Sequence, residues 1–100
     1  MRLRFTPRAI ENLNEVAEHV ESRSPIAAER VISAIHASLQ NLLIFPYSGR
    51  LLRVSEIRRL VTARYPYLVY YYVDEFAGEV VILNVKHPAR ERDEGEADWT

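Results

Sequence analysis

The chain has 100 residues, 48% of them apolar and 27% charged, with a formal net charge of −1; a chain this short buries only roughly two-thirds of its unfolded surface, which allows one core and excludes two. Having no cysteine, it can form neither a disulfide framework nor a thiolate metal site, and His19, His36 and His87 are too dispersed for a metal motif, so no metal or cofactor is expected. No uncharged run approaches the ~20 residues needed to span a bilayer, and Met-Arg-Leu-Arg-Phe-Thr-Pro lacks the apolar run of a signal peptide, so the expectation is a cytoplasmic protein with no membrane partner.

Met1 to Phe5 sets Leu3 and Phe5 against Arg2 and Arg4, the alternation of a short strand. Thr6-Pro7 then supplies a cap and a first-turn proline. Ile10, Leu13, Val16, Ala17 and Val20 follow at helical spacing, with Glu11, Glu15, Glu18 and Glu21 between them. Ser24-Pro25 repeats the start signal, and Ala28, Val31, Ile32, Ile35, Leu39, Leu42 and Leu43 form a second stripe that Phe45-Pro46 ends. So short a link predicts an antiparallel helix hairpin.

Three strands are expected next, Ile57 to Ala63, Tyr67 to Val73 and Val80 to Val85, the last two joined by a turn from Asp74 to Glu79. In the middle one Tyr67, Val69, Tyr71 and Val73 point one way and Leu68, Tyr70 and Tyr72 the other. One face takes the helices. The other is expected to expose aromatic surface, which marks a binding site in a monomer. The fold class is therefore α+β in the order β-α-α-β-β-β, a helix hairpin packed on a small, antiparallel-dominated sheet.

Charge is unevenly placed along this frame. Residues 1–49 are neutral, 50–92 carry +3 and 93–100 carry −4 through Asp93, Glu94, Glu96 and Asp98. Twelve of the thirteen cations are arginine, with Lys86 the exception. The planar guanidinium takes carboxylate or phosphate in bidentate fashion, so a basic rim of Arg58, Arg59, Arg64, Lys86, His87, Arg90 and Arg92 points to an anionic partner. From Pro88 onward no periodicity is visible, and Trp99 is free to dock on the second face.

The link Phe45-Pro46-Tyr47-Ser48-Gly49-Arg50, the segment Arg58-Arg59-Leu60-Val61, the run Tyr65-Pro66-Tyr67-Leu68-Val69-Tyr70-Tyr71 and the exit Val85-Lys86-His87-Pro88-Ala89-Arg90 together resemble the ParE branch of the RelE/ParE toxin superfamily. The resemblance covers residues 1–92 and leaves 93–100 as an acidic C-terminal tail. It implies the toxin of a type II toxin–antitoxin module, neutralised in a hetero-oligomer by a ParD-like ribbon-helix-helix antitoxin and acting on DNA gyrase. Arg50, Arg53, Arg58, Arg59, Tyr67, Tyr70, Tyr72, His87 and Arg90 are the residues expected to meet antitoxin or target.

RelE-like members of the superfamily are ribosome-dependent mRNA endoribonucleases, and this is the alternative. Metal-free RNA cleavage needs a base for the 2′-hydroxyl, an acid for the departing oxygen and cations around the phosphorane. His87 and Glu56 would be the acid–base pair, and Arg59, Arg64 and Arg90 the phosphate clamp. The chain departs from the nuclease pattern at Pro66-Tyr67, where active members tend to carry an arginine, and at Pro88, where they tend to carry a polar or aromatic group. A simpler reading gives His87 a surface role and places the tyrosines in the core or on the sheet.

Overall fold

The computed structural model describes residues 1–53 and 55–88. Expectations attached to Arg90, Arg92, Trp99 and the acidic tail lie outside the described residues. The elements run β1 (Arg2–Phe5), α1 (Pro7–Glu21), α2 (Pro25–Leu42), β2 (Arg50–Leu51), β3 (Arg58–Val61), β4 (Leu68–Asp74) and β5 (Glu79–Lys86). Both helices start where the Thr-Pro and Ser-Pro signals place them. The Thr6 hydroxyl accepts from Ala9 N at 3.1 Å and the Ser24 hydroxyl from Ala27 N at 3.2 Å, so each cap satisfies an amide that the first helical turn leaves unpaired.

The strands form one sheet in the order β1-β5-β4-β3-β2. Strand β1 pairs with β5 in parallel, and every other neighbour is antiparallel. The α+β expectation therefore holds, with one addition. Strand β2, two residues long, pairs with β3 and forms one edge of the sheet.

The helix hairpin covers one face. Val31, Ile35, Leu39 and Leu42 of α2 and Ala9 of α1 pack with Tyr67, Val69, Tyr71, Val80, Ile82 and Val85 in a single buried cluster. Each fully buried Val, Leu or Ile there contributes about 1.5–3 kcal/mol, opposed by the entropy of ordering the chain. The alternation on β4 is as expected. On β5 it breaks: a bulge shifts the register so that Tyr70 opposes Asn84 while Tyr71 opposes Ile82. Ile82 and Val85 consequently share the helix side although three positions separate them, because the extra residue resets the alternation. The bulge is tied to the first helix. Asn12 Oδ1 accepts from Val85 N at 3.0 Å, and the Thr6 hydroxyl donates to Leu83 O at 3.1 Å.

The second face is not the open aromatic surface that alternation implied. Tyr70 is wholly buried, and with Leu68 it gathers Leu52, Ile57 and Leu83 into a smaller cluster. The cause is the β2–β3 hairpin, closed by Leu52 N donating to Ile57 O at 2.9 Å, which brings two apolar side chains to the cluster. Tyr72 keeps part of its surface, and its hydroxyl accepts a long 3.5 Å hydrogen bond from Arg4 Nη2.

Candidate interaction surface

Register separates Arg58 from Arg59, as adjacent strand residues must be. Arg58 lies opposite Tyr71 on the helix side, whereas Arg59 lies opposite Tyr70 on the second face. Their roles differ accordingly. Arg58 Nη1 donates to the carbonyls of Tyr47 at 3.1 Å and Gly49 at 2.9 Å, and its guanidinium sits 5.0 Å from the Tyr47 ring centroid. This arginine, one of those expected to meet a partner, pins the turn between α2 and β2.

Tyr71 completes that clamp from below. Its buried hydroxyl accepts from Gly49 N at 2.8 Å and donates to Pro46 O at 2.9 Å. Burial pushes the Tyr71 phenol above its ordinary value. The Tyr47 phenol is also raised, chiefly by the hydrogen bond that it donates to Glu75. Held by Tyr71 and Arg58, the turn presents Ile44 (69% exposed), Phe45 (58%) and, at the start of the edge, Leu51 (54%) to solvent. Exposed apolar side chains near a strand edge that has no partner among the described residues are suited to a peptide that lays down apolar anchors and adds a strand.

On the second face one row of the sheet reads Arg50, Arg59, Tyr70, Asn84 from β2 to β5. Arg50 is exposed and Arg59 half-buried. Among the described residues the ion pairs given by geometry are Arg2–Glu79 at 3.2 Å and Arg4–Glu79 at 3.0 Å, neither involving this row. Asn84 is wholly buried, and neither its Oδ1 nor its Nδ2 has a hydrogen-bond partner among the described residues. A buried amide left so costs about 1–3 kcal/mol per unsatisfied group. Arg53 is exposed in the β2–β3 turn, which passes through Ser55 at φ 55°.

Among the described residues, the groups assigned to RNA cleavage are not brought together. His87 follows β5, level with the start of β4, where its ring meets Tyr67 edge-on at 5.6 Å between centroids. Glu56 precedes β3, level with the far end of β4. Some six strand positions at about 3.3 Å each, roughly 20 Å, separate those levels. Glu56 is therefore no acid–base complement to His87. Arg64 leaves the supposed clamp as well, since it lines an open groove with Ile26, Glu29, Arg30, Ser33, Ala34 and Tyr65 while Arg59 sits on the second face. Of the tyrosines expected at an interface, Tyr67 lies on the helix side, 9% exposed with its phenol raised by burial, Tyr70 is buried, and Tyr72 alone retains surface.

Asn84 and Asn12 carry none of the sequence signals that singled out the arginines. A lone asparagine in an apolar strand, Asn84 in Leu83-Asn84-Val85, was the one visible hint.

The model of the ParE toxin of the type II toxin–antitoxin system parDE matches residues 3–92. The chain belongs to the ParE toxin family. This ParE-family chain is 37% identical over 86 residues to the Sinorhizobium fredii protein Y4kP, covering 86% of each. It is 33% identical over 86 residues to Toxin RelE2 of Caulobacter vibrioides, covering 86% of this chain and 93% of that one. In fold it is similar to a chain of the chromosomal ParDE TA system from P. aeruginosa, with a TM-score of 0.74, 24% identity, and coverage of 87% of this chain and 95% of that one. The ParE-like reading of the sequence, made on its turn, strand and exit motifs, stands. No helix among the described residues is long and apolar enough to cross a membrane.

Proposed function

We propose that this ParE-family toxin acts by binding DNA gyrase rather than by cutting RNA, and that a ParD-like, ribbon-helix-helix antitoxin silences it in a hetero-oligomer. The observation that carries the antitoxin interface is the cross-strand pair Arg50 and Arg59 on the second face, with no described carboxylate in an ion pair with either. An antitoxin's C-terminal segment, folding on binding, sets acidic side chains on these two arginines and on Arg53 and lays apolar residues along Ile44, Phe45 and Leu51. A solved structural neighbour carries the name of a ParDE system, which supports a ParD-type partner.

The separation of Glu56 from His87 supports the non-catalytic reading over the ribonuclease. Purified chain is expected to inhibit gyrase supercoiling, and addition of the antitoxin is expected to restore it. Cleavage of mRNA on translating ribosomes, abolished by His87→Ala, with supercoiling untouched, would overturn the target assignment. Antitoxin affinity unchanged by Arg50→Glu and Arg59→Glu would overturn the interface.

A further inference from the structure

The groove that Arg64 lines lies between α2 and the turn joining β3 to β4. Glu29 and Arg30 precede Ser33 by four and three positions, so the three share one face of α2, apart from the stripe of Val31, Ile35 and Leu39 that enters the core. The turn opposite is held by Thr62, which is 2% exposed. Its amide donates to Tyr67 O at 2.9 Å, and its hydroxyl accepts from Tyr67 N at 2.9 Å and donates to Tyr65 O. Arg64 and Tyr65 are thereby held as the second wall of the groove.

The lining carries mixed chemistry. Arg30 and Arg64 are exposed, and neither side chain forms an ion pair or hydrogen bond within the described residues. Two guanidinium groups lining one groove of about 820 Å³ suit a phosphate, which a guanidinium takes in bidentate fashion. Glu29, equally without a partner there, repels a bare anion. Tyr65 is half-buried, packing on the main core cluster while it lines the groove. A ligand with phosphate at one end and a flat, donor-bearing ring at the other answers all four side chains: guanidinium on phosphate, ring on ring, carboxylate on donors. Guanine offers two neighbouring donors, its ring N–H and its exocyclic amine, to one carboxylate. The single N–H of uracil stands between two carbonyls that a carboxylate repels.

We propose that the groove between α2 and the β3–β4 turn binds a guanine nucleotide, with Arg30 and Arg64 on the phosphate, Tyr65 stacked on the base and Glu29 on its Watson–Crick edge. Helix α2 covers the face of the sheet opposite to Arg59, so the site is separate from the row of Arg50 and Arg59 and independent of the antitoxin and gyrase readings. A guanosine phosphate is presented both by the free nucleotide and by single-stranded RNA, whose unstacked bases are open to an aromatic side chain.

Titration of the isotope-labelled full chain with GMP and with UMP reads the site amide by amide. GMP is expected to shift the signals of Glu29, Arg30, Ser33, Arg64 and Tyr65 and to saturate at several-fold lower concentration than UMP. Arg30→Gln and Arg64→Gln should each weaken GMP several-fold. Glu29→Gln should tighten UMP, by removing repulsion from its phosphate, while erasing most of the preference for GMP, a pair of opposite changes that loss of structure does not produce. All three side chains are exposed, so the substitutions leave the core untouched. Saturation by GDP below that by a guanine-bearing RNA trinucleotide assigns a free nucleotide, and the reverse order assigns single-stranded RNA; either sustains the site. No shift at these amides with millimolar GMP, a response indifferent to both arginine variants, or equal saturation by GMP and UMP overturns it.

Discussion

Gly49 and Tyr71 are fitted to each other across 22 positions of sequence: the glycine amide donates to the phenol oxygen at 2.8 Å, and a Cβ at position 49 would lie 2.6 Å from that oxygen and 2.7 Å from the ring's Cε1. Glycine is needed there for space. The sequence between α2 and β2 can therefore follow only one path over the sheet, and that path orients Arg50 and Leu51 at the edge.

Gly49→Ala is expected to destabilise the fold by about 1–3 kcal/mol, since the ring it meets is buried and cannot swing away. Adding Tyr71→Leu, which clears the ring, should make the double variant less unstable than the two single losses combined. Adding Tyr71→Phe should give only part of that relief, because it removes the oxygen but leaves Cε1 at 2.7 Å. Urea unfolding of the set reads this directly.

Arg58→Met removes the donor to two carbonyls and the cation over Tyr47. A loss of about 1–3 kcal/mol is expected, concentrated locally. Amide hydrogen exchange of residues 46–50 should accelerate while the β4 and β5 ladder stays protected.

Arg59→Glu should separate stability from binding. It turns a repulsive cross-strand pair with Arg50 into an attractive one, so thermal stability is expected to hold or rise, by about 0.2–1 kcal/mol. Affinity for an acidic partner should fall in the same variant. Calorimetry of folding and of binding on one preparation checks both.

Asn12→Ala leaves the Val85 amide at the bulge without its acceptor and is expected to cost about 1–3 kcal/mol. Asn12→Asp keeps an oxygen in place and should lose less. Chemical denaturation ranks the two.

Alkaline pH should unfold the protein through its tyrosines. The Tyr71 and Tyr67 phenols are raised above the ordinary 10.0 by burial, and that of Tyr47 chiefly by its bond to Glu75. A raised folded value means that the native state keeps these protons where the unfolded chain has released them, so the unfolding free energy falls with pH. Stability is fully present below pH 10 and is lost as pH rises through the folded values. The urea midpoint should decline from pH 9.5 to 11.5, with phenolate absorbance rising as the chain unfolds, and less steeply in Tyr71→Phe.

Much of this was legible along the chain. Thr6-Pro7 and Ser24-Pro25 start both helices, and the pleat alternation of β4 survives intact. Strand β2 was not legible, because two residues have no period and become a strand only through β3. Alternation also misplaced the open aromatic surface, since it cannot register that the Leu52–Ile57 hairpin folds over Tyr70 or that a bulge returns Val85 to the helix side. That Arg58 and Arg59 face opposite sides follows from their adjacency, but which of the two is engaged by backbone carbonyls does not.

What the sequence settled by itself were features governed by neighbours one to four positions away: caps, helical stripes, strand alternation and the uneven placement of charge. The tertiary structure alone decided which face each side chain had to share, that Arg58 is engaged by carbonyls while Arg50 and Arg59 stand together, and that Glu56 and His87 lie at opposite ends of the sheet. Pairing register and loop path arise from contacts between residues distant in sequence, and no periodicity within an element encodes them.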